Sequence, residues 1–167
     1  MRFTLNHFLS RGSALIAVVQ IAAILVAAFA VYPFLQANML FVGPVILVLG
    51  FVSLGMLKLS GRSIRSVIAD IVYGVMDVGL LSWVVSIEAV FAGPVGVVFG
   101  TVIAHSLTDA VAGMAEGQIA ESLRKHGIEE SRTPISSGLG KMVGGLIGAG
   151  AIITIVWLAL GQVAVFE

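Results

Sequence analysis

Residues 67–92 read VIADIVYGVMDVGLLSWVVSIEAVFA, then Gly93-Pro94, then residues 95–117 read VGVVFGTVIAHSLTDAVAGMAEG. Each run is longer than the roughly 20 residues an α-helix needs to cross the hydrocarbon core of a bilayer. A Gly-Pro pair between them leaves room only for a tight turn. The stretch therefore predicts two antiparallel transmembrane helices. Neither run alternates with period two, which argues against a β-barrel.

Outward from this hairpin, three further apolar runs cover 14–35, 38–57 and 142–161. The expected fold class is all-α: a polytopic membrane protein of five transmembrane helices. Residues 1–13 form a short basic segment, 14–161 a single membrane domain with a loop at 118–141, and 162–167 a tail. Composition agrees: 59% of residues are hydrophobic and 11% charged, whereas soluble domains run about a quarter charged. The formal net charge is zero, so nothing favours nucleic acid as a partner, and the lipid bilayer is the expected surroundings. The absence of cysteine excludes disulfides, thiolate metal sites and a cysteine nucleophile.

The basic residues set the sidedness. Arg2, Arg11, Lys58, Arg62, Arg65, Arg124, Lys125, Arg132 and Lys141 all fall on one side of a five-span chain. The opposite turns, Gln36-Ala37 and Gly93-Pro94, carry none. By the positive-inside rule the N-terminus is cytoplasmic and the C-terminus outside. The cell's inner or plasma membrane is the expected location. Arg2, Arg11 and the run ending in Ala28-Phe29-Ala30 also resemble a secretory signal; a retained first span is the expectation here.

The loop has local structure of its own. Glu121 and Lys125 are spaced i,i+4, so helix should continue past span four until Gly127 ends it. Thr133-Pro134 has the form of an N-cap followed by proline at the first helical position. Ile135–Gly140 would then lead into span five. That span opens with Gly140, Gly144 and Gly148, a spacing that lets helix backbones approach closely. Such a row serves either a seam between two copies of the chain or packing within one.

Ionisable residues inside lipid cost roughly 2.5–3.5 kcal/mol each on insertion scales. Span three carries Asp70, Asp77 and Glu88, and span four carries His105, Asp109 and Glu116. Separations of seven and eleven residues, or four and seven, place each set along one helical stripe. Counted from the cytoplasmic ends, Asp77 and Asp109 lie at about 15 and 12 Å, at 1.5 Å per residue. No basic residue shares that depth. Two such carboxylates must be protonated, hydrated or bound to a metal. Carboxylate oxygens suit hard divalent ions, and His105 adds an imidazole suited to iron, manganese or zinc. Asp77, Asp109, His105 and Glu116 are the candidate metal ligands; Asp77, Asp109, Asp70 and Glu116 could also relay protons. Asp70 and Glu116 would alternatively be interfacial groups meeting Arg62, Arg65 or water, and Glu88 a solvated outer residue. Gln20 reads as an interhelical hydrogen bond, and Tyr32 and Trp157 as an outer aromatic belt. No catalytic elbow, zinc-protease helix or phosphate loop is present, so no enzymatic activity is expected.

Asp70-Ile-Val-Tyr-Gly-Val-Met-Asp77-Val-Gly79 resembles the first-helix pattern of the vacuolar iron transporter family. Ser106-Leu-Thr-Asp109-Ala-Val-Ala-Gly-Met114-Ala-Glu116-Gly is similar to that family's second-helix region, and Thr133-Pro-Ile-Ser-Ser-Gly-Leu-Gly to its proline-containing entry into a later helix. The resemblance covers 66–150. It implies proton-coupled export of ferrous or manganous ions by a dimer, with Asp77, Met114 and Glu116 as carried-over positions. Two spans precede the matching region, Val78 interrupts the Asp-Gly pair, and the family's Glu-rich insert is reduced to a short charge-balanced loop.

The leading expectation is a small transporter or channel for divalent metal ions or protons, using Asp77 and Asp109 and with a bound divalent ion as its one candidate cofactor. It would act as a homo-oligomer. The alternatives are a non-catalytic structural or assembly subunit of a larger membrane complex, and a regulator acting through loop 118–141. With no native cysteine, single cysteines report sidedness cleanly. Ala37→Cys should react with an impermeant maleimide on intact cells, and Arg124→Cys only after the cells are opened. The reverse pattern would overturn the orientation.

Overall fold

The computed structural model of the protein describes residues 11–59, 63–91, 93–128 and 134–159. Five helices account for them: α1 (Arg11–Ala37), α2 (Val42–Leu59), α3 (Ile68–Phe91), α4 (Gly93–Lys125) and α5 (Pro134–Ala159). Single 3-10 turns, Met39–Phe41 and Ile64–Val67, lead into α2 and α3. No strand occurs among the described residues. All five helices are long and apolar enough to cross a membrane, and the chain is a multi-pass integral membrane protein.

Local chemistry explains the ends. Gly93 takes φ +61°, a left-handed conformation that glycine adopts without steric cost. It reverses the chain between α3 and α4, and Pro94 sits in the first turn of α4, where its missing N–H is harmless. At the other end of α4, Gly127 takes φ +70°. The Ile128 N–H bonds the Leu123 carbonyl at 3.0 Å and the Gly127 N–H bonds the Arg124 carbonyl at 3.1 Å, the paired bonds of a Schellman cap. Lys125 Nζ meets Glu121 at 2.8 Å on the last turns.

Two helix ends lie furthest from the hydropathy boundaries. α4 runs on to Lys125 rather than stopping at 117, and α5 begins at Pro134 rather than at 142. Hydropathy marks only the lipid-compatible part of a helix, and polar turns continue it. At 33 residues, α4 is about 50 Å long, well beyond the roughly 30 Å hydrocarbon core. Arg11, counted with the N-terminal segment, opens α1. Thr133, the expected cap of α5, and Arg62 lie outside the described residues, as do 1–10 and the whole of the tail.

The helices stand in a row. α5 packs between α3 and α2, α4 lies on the far side of α3, and α1 touches the row lightly at α2 and α5. Glycine determines the closest contacts. A Cβ on Gly148 would lie 2.5 Å from the Val75 carbonyl oxygen, and one on Gly144 would collide with the Ile71 carbonyl. Gly74 returns the fit from α3, facing the Lys141 carbonyl and the Gly145 nitrogen. The Gly140, Gly144 and Gly148 row thus packs against α3 of its own chain. On the other side of α5, Gly43 of α2 faces Thr154, and Gly150 faces the backbone of Leu47. Gln20 of α1 is fully buried and its Nε2 donates to the Ser53 carbonyl of α2 at 3.0 Å, as expected for a lone polar group in lipid.

Gly144→Val should therefore destabilise the fold by about 1–3 kcal/mol or more, the cost of overpacking a tight contact. Gly113→Ala, where an added Cβ meets nothing within 4 Å, should be close to neutral. Thermal unfolding of the two variants in detergent measures the difference.

Candidate cation site

The long apolar α3 carries Asp77 near its middle, and α4 carries His105 and Asp109 one turn apart. Antiparallel packing of α3 on α4 brings the three together. Each offers one ligand atom, and these atoms lie within 4.8 Å of one another. Ligands of one ion bound at about 2.0–2.4 Å lie no more than about 4.8 Å apart, so the spacing admits a single cation. His105 lies between the acids: Nδ1 is 3.5 Å from Asp77 Oδ1, and Nε2 is 3.8 Å from Asp109 Oδ2.

Each carboxylate also has a hydroxyl donor. Thr108 Oγ1 donates to Asp77 Oδ1 at 2.7 Å. The Tyr73 hydroxyl donates to Asp109 Oδ1. A charged acceptor makes such bonds stronger than neutral ones, and here they orient the oxygens. Asp77 is buried at 5% exposure, whereas the side chains of His105 and Asp109 are 53% and 44% exposed. The cluster is closed by α3 on one side and open on the other, because α4 packs substantially only on α3.

The remaining acids of the two stripes stand apart from this cluster. Asp70 is 1% exposed and accepts from Ser137 Oγ of α5 at 2.5 Å; its other oxygen is buried with no hydrogen-bond partner. It is buried rather than solvent-exposed, and Ser137 is the partner the structure gives it. Glu116 pairs with Lys141 Nζ at 3.1 Å and does not join the Asp77, His105 and Asp109 group. Asp70 and Glu116 thus find separate partners on α5. Glu88 is not a solvated end residue either. Its carboxyl lies over Gly100 of α4, filling the space a side chain would take, and Oε2 is buried without a partner. Met114 is 63% exposed on the outer face of α4, away from the cluster.

Tyr73 and Lys141 are the residues that sequence reasoning missed. Tyr73 stands one turn before Asp77 and shares its face, a usable signal. Lys141 was assigned to the loop because hydropathy began span five at 142. Its Nζ sits 3.8 Å from the centroid of the Tyr73 ring, a cation–π contact. A continuous chain therefore runs from Glu116 through Lys141, Tyr73 and Asp109 to His105, Asp77 and Thr108.

These features define a five-helix integral membrane protein with a carboxylate–imidazole cluster between its third and fourth helices. No family model, curated protein or solved structure matches the chain.

Thr108→Val keeps the shape of residue 108 but removes the donor to a buried carboxylate. Stability should fall by about 1–3 kcal/mol, the cost of leaving a buried acceptor unsatisfied, while Thr108→Ser should recover most of it. Melting temperatures in detergent compare the two.

Proposed function

We propose that the chain is a small transporter or channel for divalent metal cations, iron- or manganese-like, with Asp77, His105 and Asp109 as its central site. The observation that carries this reading is the convergence of two carboxylates and one imidazole within 4.8 Å, inside a segment built to sit in lipid. Oxygen and imidazole donors suit first-row divalent ions. The charges agree. Asp77, Asp109 and Glu116 against Lys141 leave two uncompensated negative charges when His105 is neutral, which one divalent cation balances. Protons are the other cargo the same groups could handle, since the two nitrogens of His105 face two carboxylates. The motif likeness to vacuolar iron transporters, on Asp77 above all, points to the same class of cargo. The distribution of Lys and Arg supports a cytoplasmic N-terminus in a cell membrane.

The half-exposed His105 and Asp109 favour a protein or water neighbour over lipid, since charged groups at depth face a bundle interior or a cavity. This supports a homo-oligomer with α4 at the contact. The same observation is what a subunit of a larger complex would show, with the polar groups holding helices together.

In proteoliposomes loaded with a metal-sensitive dye, Asp77→Asn and Asp109→Asn should reduce Mn2+ flux to the level of empty vesicles while the proteins still insert and fold. Undiminished flux in both variants would sink the assignment. Co-purification of unrelated chains in mild detergent, with no flux from the isolated protein, would favour the complex-subunit reading.

A further inference from the structure

We propose that Lys141 is a built-in counter-cation of the site, a tethered ammonium that opposes the cargo ion and limits how tightly a divalent cation is held. This rests on the cation site proposed above and adds an affinity-setting residue to it.

The placement of Lys141 is enforced by backbone packing. Gly74 of α3 faces the Lys141 carbonyl, and a Cβ there would also lie 2.7 Å from the Gly145 nitrogen. No side chain fits between the helices at this point, so the root of Lys141 is pinned beside Tyr73. From there its ammonium reaches 3.1 Å from Glu116 and 3.8 Å from the Tyr73 ring centroid. The Tyr73 hydroxyl in turn donates to Asp109. The positive charge is thus one aromatic ring away from a ligand oxygen.

An ordinary ion pair contributes little and needs no role. This one has an unusual span. α4 and α5 scarcely meet otherwise, and the pair reaches across α3 to join them. Glu116 is largely buried, at 13% side-chain exposure. Nearby Asp70 is engaged by Ser137, one turn before Lys141 on the same helix. Among the described residues, the charged groups in contact with Lys141 are therefore Glu116 directly and Asp109 through Tyr73.

Two consequences follow for binding. A cation over an aromatic face polarises the phenol, which holds Asp109 Oδ1 toward Tyr73 and away from an incoming ion. The ammonium also raises the local potential, which both monovalent and divalent cations must overcome. A divalent ion meets that potential with both of its charges, so the ammonium weakens its binding twice as much in free energy as that of a monovalent ion.

The test is Mn2+ binding by the full-length protein in detergent at fixed ionic strength, read from the electron paramagnetic resonance signal of free Mn2+, with Na+ as competitor. Lys141→Gln should bind Mn2+ about tenfold more tightly, the scale of one charge removed near a divalent ion in a water-like dielectric. Na+ should compete with Mn2+ no better than it does in the parent, since it gains half as much free energy. Lys141→Arg should behave as the parent. Unchanged or weaker binding by Lys141→Gln, with Asp77→Asn abolishing binding, would overturn the role of Lys141 and leave the site intact. Mn2+ binding that Asp77→Asn leaves unaltered would overturn the site, and this proposal with it. Should Lys141→Gln fail to fold, the parent protein carries the test. It has three lysines, Lys58, Lys125 and Lys141, whose 13Cε resonances can be followed by NMR, with Lys141→Arg assigning the third. Titration with diamagnetic Mg2+ should shift the ring-shielded Lys141 signal, and a static signal through saturation would overturn the proposal.

Discussion

The close approach of α3 and α5 is the constraint on which the rest of the structure depends. Apolar helices in lipid gain nothing from exchanging lipid for one another by hydrophobicity alone, so close dispersion contact and buried polar bonds must hold them. Gly74, Gly144 and Gly148 remove the side chains that would keep the two backbones apart. Once these backbones touch, the first turns of α5 have nowhere to go but along the Asp70 and Tyr73 face of α3. Ser137 then meets Asp70, and Lys141 meets Tyr73 and Glu116. α4 is left the opposite side of α3, where it brings His105, Thr108 and Asp109 to Asp77.

This arrangement divides the chain by task. α1 and α2 carry little ionisable chemistry, and their contacts include a buried hydrogen bond from Gln20 to the Ser53 carbonyl. α5 is mainly a packing element, yet its early turns supply the hydroxyl and the ammonium that partner acids of α3 and α4. The acids themselves sit on α3 and α4. Polar residues inside a membrane segment are costly, and here the cost is offset by short bonds from Tyr73, Thr108 and Ser137 and by one ion pair.

α4 is the asymmetric member. It is the longest helix, it ends in a Schellman cap beyond the lipid core, and it packs substantially on one neighbour. Its outer face carries Val98, Phe99, Val102 and Leu107, all well exposed and suited to lipid. His105 and Asp109 interrupt that face. An open edge that is apolar over most of its length and polar at the cluster is the feature that ties the fold to its proposed activity.

The five spans were legible in the sequence because membrane crossing is a property of length and composition, and both are read along the chain. The comparable depth of Asp77 and Asp109 followed from the same rise per residue applied to two antiparallel runs. The Gly127 stop and the helical continuation through Lys125 were legible too, because caps are local. Rotation of each helix about its own axis was not. A helix bathed in lipid is apolar around most of its circumference, so hydropathy favours no face. Only packing decided that the Gly140, Gly144 and Gly148 row turns inward to α3, that Asp70 and Glu116 take separate partners on α5, and that Glu88 is pressed over Gly100. Lys141 shows the limit most clearly. Its charge placed it in a loop by composition, while the glycine contact that pins its backbone to α3 draws that charge into the bundle.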